Sequence, residues 1–98
     1  ISDDLFAINC ELVMVTESPI LGSQFNGDHF YDDYITAFRQ VALANPRIRL
    51  ADANLRMKAF LADGDFESNA KMLFEDAWHV TQAGHLIYLK TITDALGL

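Results

Sequence analysis

The stretch DAWHVTQAGH, residues 76–85, sets a carboxylate and an imidazole three positions apart, Asp76 and His79, ahead of Thr81, Gly84 and a second histidine, His85. A carboxylate beside an imidazole accepts the Nδ1 proton, fixes the tautomer and stabilises the imidazolium. Nε2 is then left as a base for a hydroxyl nucleophile. The same spacing also suits a plain structural role, in which Asp76 caps a turn and His79 lies on an amphipathic surface. Spacing alone does not separate the two. Trp78, an aromatic between polar neighbours, either walls a pocket or is half-buried packing. His85 lies one helical turn further on, where packing or a structural hydrogen bond is the expected role.

Other chemistries find little support. The three histidines, His29, His79 and His85, and the single Cys10 do not make a zinc pattern, and no glycine-rich phosphate loop is present. Asp32-Asp33, Asp63-Gly64-Asp65 and Glu75-Asp76 are carboxylate pairs that read as solvated acidic loops, the middle one too short for a calcium-binding EF-hand. No metal or cofactor is therefore expected. Seven basic residues against fourteen acidic ones leave a net charge of −7. The basic residues are scattered, which argues against nucleic acid or an anionic membrane surface as partner. Cys10 has no second cysteine to pair with and, beside an apolar run, reads as an inert buried thiol. No apolar run is long enough for a membrane span, and no signal-peptide pattern opens the chain. The start at Ile1, leading into the helix-like DDLFAIN, raises the expectation of further residues upstream.

The elements that must position this motif alternate between strand and helix. ELVMV, residues 11–15, is a short apolar, β-branched run of the kind that forms a strand buried on both faces. A loop follows, punctuated by Pro19 and Asn26-Gly27. From Phe30 to Ala44, apolar residues at Tyr31, Tyr34, Ile35, Phe38, Val41 and Ala42 recur at helical spacing until Asn45-Pro46 stops them. RIRLADA, residues 47–53, is a second strand with Ile48 and Leu50 on one face. Strand, helix and strand in this order imply a parallel, right-handed crossover. NLRMKAFL is expected as a short helix and ADGDFESNAKMLF as a surface loop. TQAGHLIYLKTITDALG forms a closing helix, capped by Thr81 and ended by Gly97. There is no internal repeat or linker. A two-stranded parallel sheet needs neighbours on its edges and helices on its faces. Residues 1–98 are accordingly expected to be one end of a larger α/β sheet.

D-x-x-H followed by Thr81 and Gly84-His85 at the head of a C-terminal amphipathic helix resembles the last motif of the SGNH hydrolases, also called the GDSL esterase/lipase family. The resemblance extends upstream through ELVMV and TESPI, the long helix with its Tyr and Phe residues, the Asn-Pro stop, and RIRLADA ending at Asp52. These look like the family's last two sheet strands and the helix between them. The resemblance implies an α/β, flavodoxin-like three-layer fold of which this chain is the C-terminal segment, with parallel strands and a C-terminal helix. It also implies a serine ester hydrolase in which His79 is the general base and Asp76 its orienting partner. The substrate class implied is an acyl ester of a lipid, a carbohydrate or a small molecule.

In that family the serine lies in a Gly-Asp-Ser motif after the first strand, and the oxyanion hole uses the serine N–H, a glycine N–H and an asparagine side chain. None of the three has a match here. Ser18 in VTES has Thr where the family has Gly, and lies too close to D-x-x-H for the intervening strands. LGSQFNGD offers Ser23 and Asn26, but Asn26 comes after the strand it should precede. Both stretches read as a sheet-top loop. The expectation is that the missing N-terminal part of the same domain supplies the serine and oxyanion donors, and that the 98 residues alone are inactive. The alternative is a non-catalytic SGNH-like binding or structural module, as in a secreted or phage tail protein, with D-x-x-H as a remnant.

Overall fold

The computed structural model describes residues 11–21, 28–76 and 79–98, with the backbone alone for residues 28–31. The helix-like DDLFAIN, Cys10, Ser23, Asn26 and Trp78 lie outside the described residues, as does the side chain of Tyr31.

The order is β1 (Leu12–Val15), α1 (Asp28–Ala44), β2 (Ile48–Ala51), α2 (Ala53–Ala62), α3 (Phe66–Leu73) and α4 (Gln82–Leu96). β1 and β2 pair in parallel, with Leu12 opposite Ile48 and Val15 opposite Ala51, and the Thr16 amide extends the ladder to the Ala51 carbonyl at 3.1 Å. The parallel pair expected from the sequence is therefore present, in a mixed α/β chain.

α1 buries Ile35 and Ala42 and half-buries Phe38 and Arg39, the i, i+3, i+4, i+7 stripe of an amphipathic helix. Its end follows from Asn45-Pro46: the Asn45 carbonyl accepts from the Ile48 amide, and its side chain accepts from the Arg47 amide, turning the chain into β2. α2 is the short helix expected from NLRMKAFL, N-capped by Asp52.

The expected loop over ADGDFESNAKMLF is instead largely helix, α3. Asp65 caps it by accepting from the Ser68 amide and hydroxyl, at 3.2 and 2.6 Å. A Gly64 φ of 100° makes the turn that precedes it. The helix turns its half-buried Ala70 and buried Leu73 inward. Those two small and medium apolar positions are a faint stripe, and the polar D-G-D-x-E-S run conceals it.

The main buried cluster is Met57 and Leu61 of α2 with Leu73 and Phe74 at the end of α3, against which Val80, Ala83, Ile87 and Tyr88 pack. Each of the four buried side chains contributes about 1.5–3 kcal/mol by leaving water. This core lies directly beneath the residues that lead into and out of the D-x-x-H segment, so the motif rises from the best-packed part of the chain. α4 packs on both strands and on α2 and α3.

Candidate active site

The residues on either side of D-x-x-H are tied together at its base. Phe74 and Val80 form an antiparallel bridge, the Glu75 amide donates to the His79 carbonyl at 2.8 Å, and the Thr81 amide donates to the Leu73 carbonyl at 2.8 Å. Thr81 then does two things. Its hydroxyl donates to the Met72 carbonyl at 2.6 Å, and it accepts from the Gly84 amide at 3.3 Å as the N-cap of α4. The end of α3 and the start of α4 are thereby tied through one side chain.

Gly84 explains how closely they approach. A Cβ at this position would lie 2.6 Å from Val80 Cβ and 2.8 Å from the Leu73 carbonyl oxygen, distances that real Cβ atoms essentially never show. The glycine is required by a backbone approach, with no unusual φ involved. The other end of α4 is a glycine for a different reason: Gly97 takes the left-handed conformation, φ 77°, and closes the helix.

Within this frame Asp76 engages His79 through both carboxylate oxygens. Oδ1 accepts from the His79 amide at 2.8 Å, and Oδ2 lies 2.7 Å from Nδ1. The turn-capping role and the imidazole-orienting role set against each other in the sequence are thus performed together by one carboxylate. With an acceptor at Nδ1 the proton resides there, and Nε2 carries the lone pair. The side chains are 54% and 64% exposed, and a contact so exposed contributes only about 0–1 kcal/mol to stability.

His79 opens onto a groove of about 590 Å³ lined also by Glu17, Ser18, Glu75, Val80, His85 and Tyr88. Two of these come from the loop that follows β1. Ser18, set aside by its spacing in the sequence, is brought to the same groove as His79, and its amide donates to the Tyr88 hydroxyl at 2.6 Å. His85 is exposed and stands with its ring centroid 6.4 Å from that of Tyr88. Glu17, Glu75 and Tyr88 were missed as groove residues. For Tyr88 the signal was its i, i+3 relation to His85 on α4, which places both on one face. A second, more apolar groove of about 520 Å³ lies between α2 and α4, and none of the D-x-x-H residues lines it.

The β1 loop is held where it is by a polar cluster at the carboxyl ends of the strands. The Thr16 hydroxyl donates to Asp52 Oδ1 at 2.8 Å and accepts from the Asn54 amide at 2.9 Å. Arg39 of α1 clamps the same carboxylate, Nε to Oδ2 at 2.6 Å and Nη2 to Oδ1 at 3.1 Å, and Nη2 also reaches Asn54 Oδ1 at 3.1 Å. Burial pushes the Asp52 carboxyl up. Hydrogen bonds from Arg39, Thr16 and the Leu55 amide, with the charge of Arg39, outweigh it and hold the group below its ordinary value. The hydrogen bond to Asp52 in turn raises Arg39 above its ordinary value. Thr16 is two residues from Ser18, so this cluster holds the strand end from which Glu17 and Ser18 reach the groove.

Among the described residues no group of His, Cys, Asp and Glu is arranged to hold a metal ion, and no helix is long and apolar enough to cross a membrane. No protein-family model, curated protein or solved structure matches this chain.

Proposed function

We propose that this chain is the C-terminal part of an SGNH-like serine ester hydrolase domain, to which it contributes Asp76 and His79. The nucleophilic serine and the oxyanion donors come from the upstream part of the same domain. The observation that carries this reading is the 2.7 Å contact between Asp76 Oδ2 and His79 Nδ1, on a histidine whose ring opens onto a groove. The half-buried state of every residue of β1 also favours it, since a parallel strand of this composition is ordinarily covered on both faces and paired on both sides.

In this mechanism His79 Nε2 takes the proton of the serine hydroxyl as its oxygen attacks the ester carbonyl carbon. Asp76 accepts from Nδ1–H and stabilises the imidazolium that results. As the tetrahedral intermediate collapses, the imidazolium returns the proton to the departing alcohol oxygen, leaving the acyl group on the serine. Water, deprotonated by the same Nε2, then releases the acid.

The test is p-nitrophenyl acetate turnover by the longer polypeptide that includes the upstream segment, with and without His79→Ala. The expected result is a loss of several orders of magnitude, because the base and the nucleophile act as a unit. A variant as active as the parent would remove His79 from catalysis. An inactive parent whose upstream segment lacks a Gly-Asp-Ser serine would leave a binding or structural module on the same fold.

A further inference from the structure

Among the described residues Tyr88 is the one phenol on the groove, and three contacts fix it. Its ring packs against the buried cluster of Met57, Leu61, Leu73 and Phe74 and is tilted 36° to the His85 ring. Its oxygen accepts from the Ser18 amide at 2.6 Å. A phenolic oxygen can accept one hydrogen bond and still donate its own proton, and here it accepts from the Ser18 N–H. Its own proton is left to donate. Among the described residues that hydroxyl has no acceptor, although it can donate as well as accept. An oxygen that already accepts a hydrogen bond is also a stronger donor through polarisation.

We infer that Tyr88 donates this proton in a hydrogen bond to the alcohol-side oxygen of the ester bound in the groove, and so selects oxygen esters over thioesters. The inference rests on the hydrolase reading, because it needs His79 as the group that protonates the leaving oxygen. That oxygen must come to His79 Nε2, and Tyr88 lines the same groove. No bond forms or breaks at Tyr88. Its hydroxyl keeps its proton while His79 delivers the transferred one, and the hydrogen bond strengthens as negative charge develops on the leaving oxygen. A donor held in place beforehand costs no reorganisation at that moment. A sulfur leaving group is a poor acceptor and gains little from it.

The experiment measures kcat/KM of the longer polypeptide for an alkyl acetate and for the thioacetate of the same alkyl group, in wild type and Tyr88→Phe. Loss of one hydrogen bond to a developing charge is expected to lower oxygen-ester turnover about tenfold and thioester turnover less than twofold. The substitution also takes the acceptor from the Ser18 amide, but that structural effect falls on both substrates equally. Parallel losses, or no loss, overturn the role of Tyr88 and leave the hydrolase reading intact. A wild type inactive on both substrates overturns the hydrolase reading and this inference with it. Should Tyr88→Phe fail to fold, difluorotyrosine at position 88 retains the hydroxyl and makes it a better donor. In mildly acidic buffer the ratio of oxygen-ester to thioester turnover should rise, and an unchanged ratio overturns the inference.

Discussion

The carboxylate of Asp76 spans the backbone and the side chain of a single residue, taking the His79 amide at 2.8 Å with one oxygen and facing Nδ1 at 2.7 Å with the other. Removing this carboxylate thus has two separable consequences. Asp76→Asn keeps an oxygen for the amide but can present an N–H to Nδ1, favouring the wrong tautomer. Asp76→Ala removes both. In the longer polypeptide, both variants are expected to lose ester turnover roughly a thousandfold. Only Asp76→Ala is expected to loosen the loop, seen as faster hydrogen exchange at the His79 amide. Equal exchange in the two variants would show that the amide contact does not hold the turn.

Gly84 offers a test of the frame with no change of charge. Gly84→Ala drives a Cβ into Val80 Cβ and the Leu73 carbonyl, and overpacking of this kind costs about 1–3 kcal/mol. The Leu73 carbonyl accepts from Thr81, so relief of the clash must shift the base of the loop. Chemical denaturation should show the loss in stability. An unchanged midpoint would mean that the approach of α3 and α4 is looser than described.

Thr81→Val removes the hydroxyl that caps α4 and bonds to the Met72 carbonyl while keeping a β-branched side chain of similar volume. The expected cost is about 1–2 kcal/mol. Thr81→Ser, which retains both hydrogen bonds, should recover most of it. A Thr81→Val variant as stable as wild type would show that the hydroxyl does not tie the two helices.

Asp52 predicts a pH dependence. Its folded value lies below the ordinary one, so its contribution is fully present above the ordinary carboxylate value of about 3.9 and is lost as pH falls through the lower folded value. Asp52→Asn should lower stability at neutral pH by about 2 kcal/mol, since Arg39 and Thr16 lose a charged partner. The gap between variant and wild type should narrow only in strong acid. A gap that stays constant through the acid limb would place the stabilisation elsewhere than in the ionised carboxylate.

The 98 residues by themselves are expected to show no turnover of p-nitrophenyl acetate, with Ser18→Ala as control. Ser18 lines the groove of His79, which makes the control informative. Turnover abolished by Ser18→Ala would put the nucleophile within this chain.

Much of the scaffold was legible from local signals. Helical spacing through Ile35, Phe38 and Ala42, the stop at Asn45-Pro46, and the Thr81 and Gly97 caps each depend on residues within a turn or two of one another. α3 was hidden because its buried stripe is little more than Ala70 and Leu73 and its cap partner, Ser68, also reads as a loop residue. The pairing of Asp76 with His79 was legible because it spans three positions. The clamp of Arg39 on Asp52 and the meeting of Ser18 with Tyr88 were not, since they depend on how the crossover helix and the last helix dock. Chain spacing set Ser18 too close to D-x-x-H to match the family serine, but it carried no information on where the loop after β1 lies, and that loop brings Ser18 to the groove of His79.

The hydrogen bond between the Ser18 amide and the Tyr88 hydroxyl joins positions seventy apart, whereas the Asp76 turn closes over three. Contacts of such different range do not form at the same stage of folding, because distant pairings must first meet the entropy of closing the chain between them. The histidine and its carboxylate can be in place while the opposite wall of the groove is still absent. Partial opening of the native chain should follow the same division, with the Ser18 amide exchanging at lower free energy than that of Thr81, whose acceptor Leu73 is in the buried cluster.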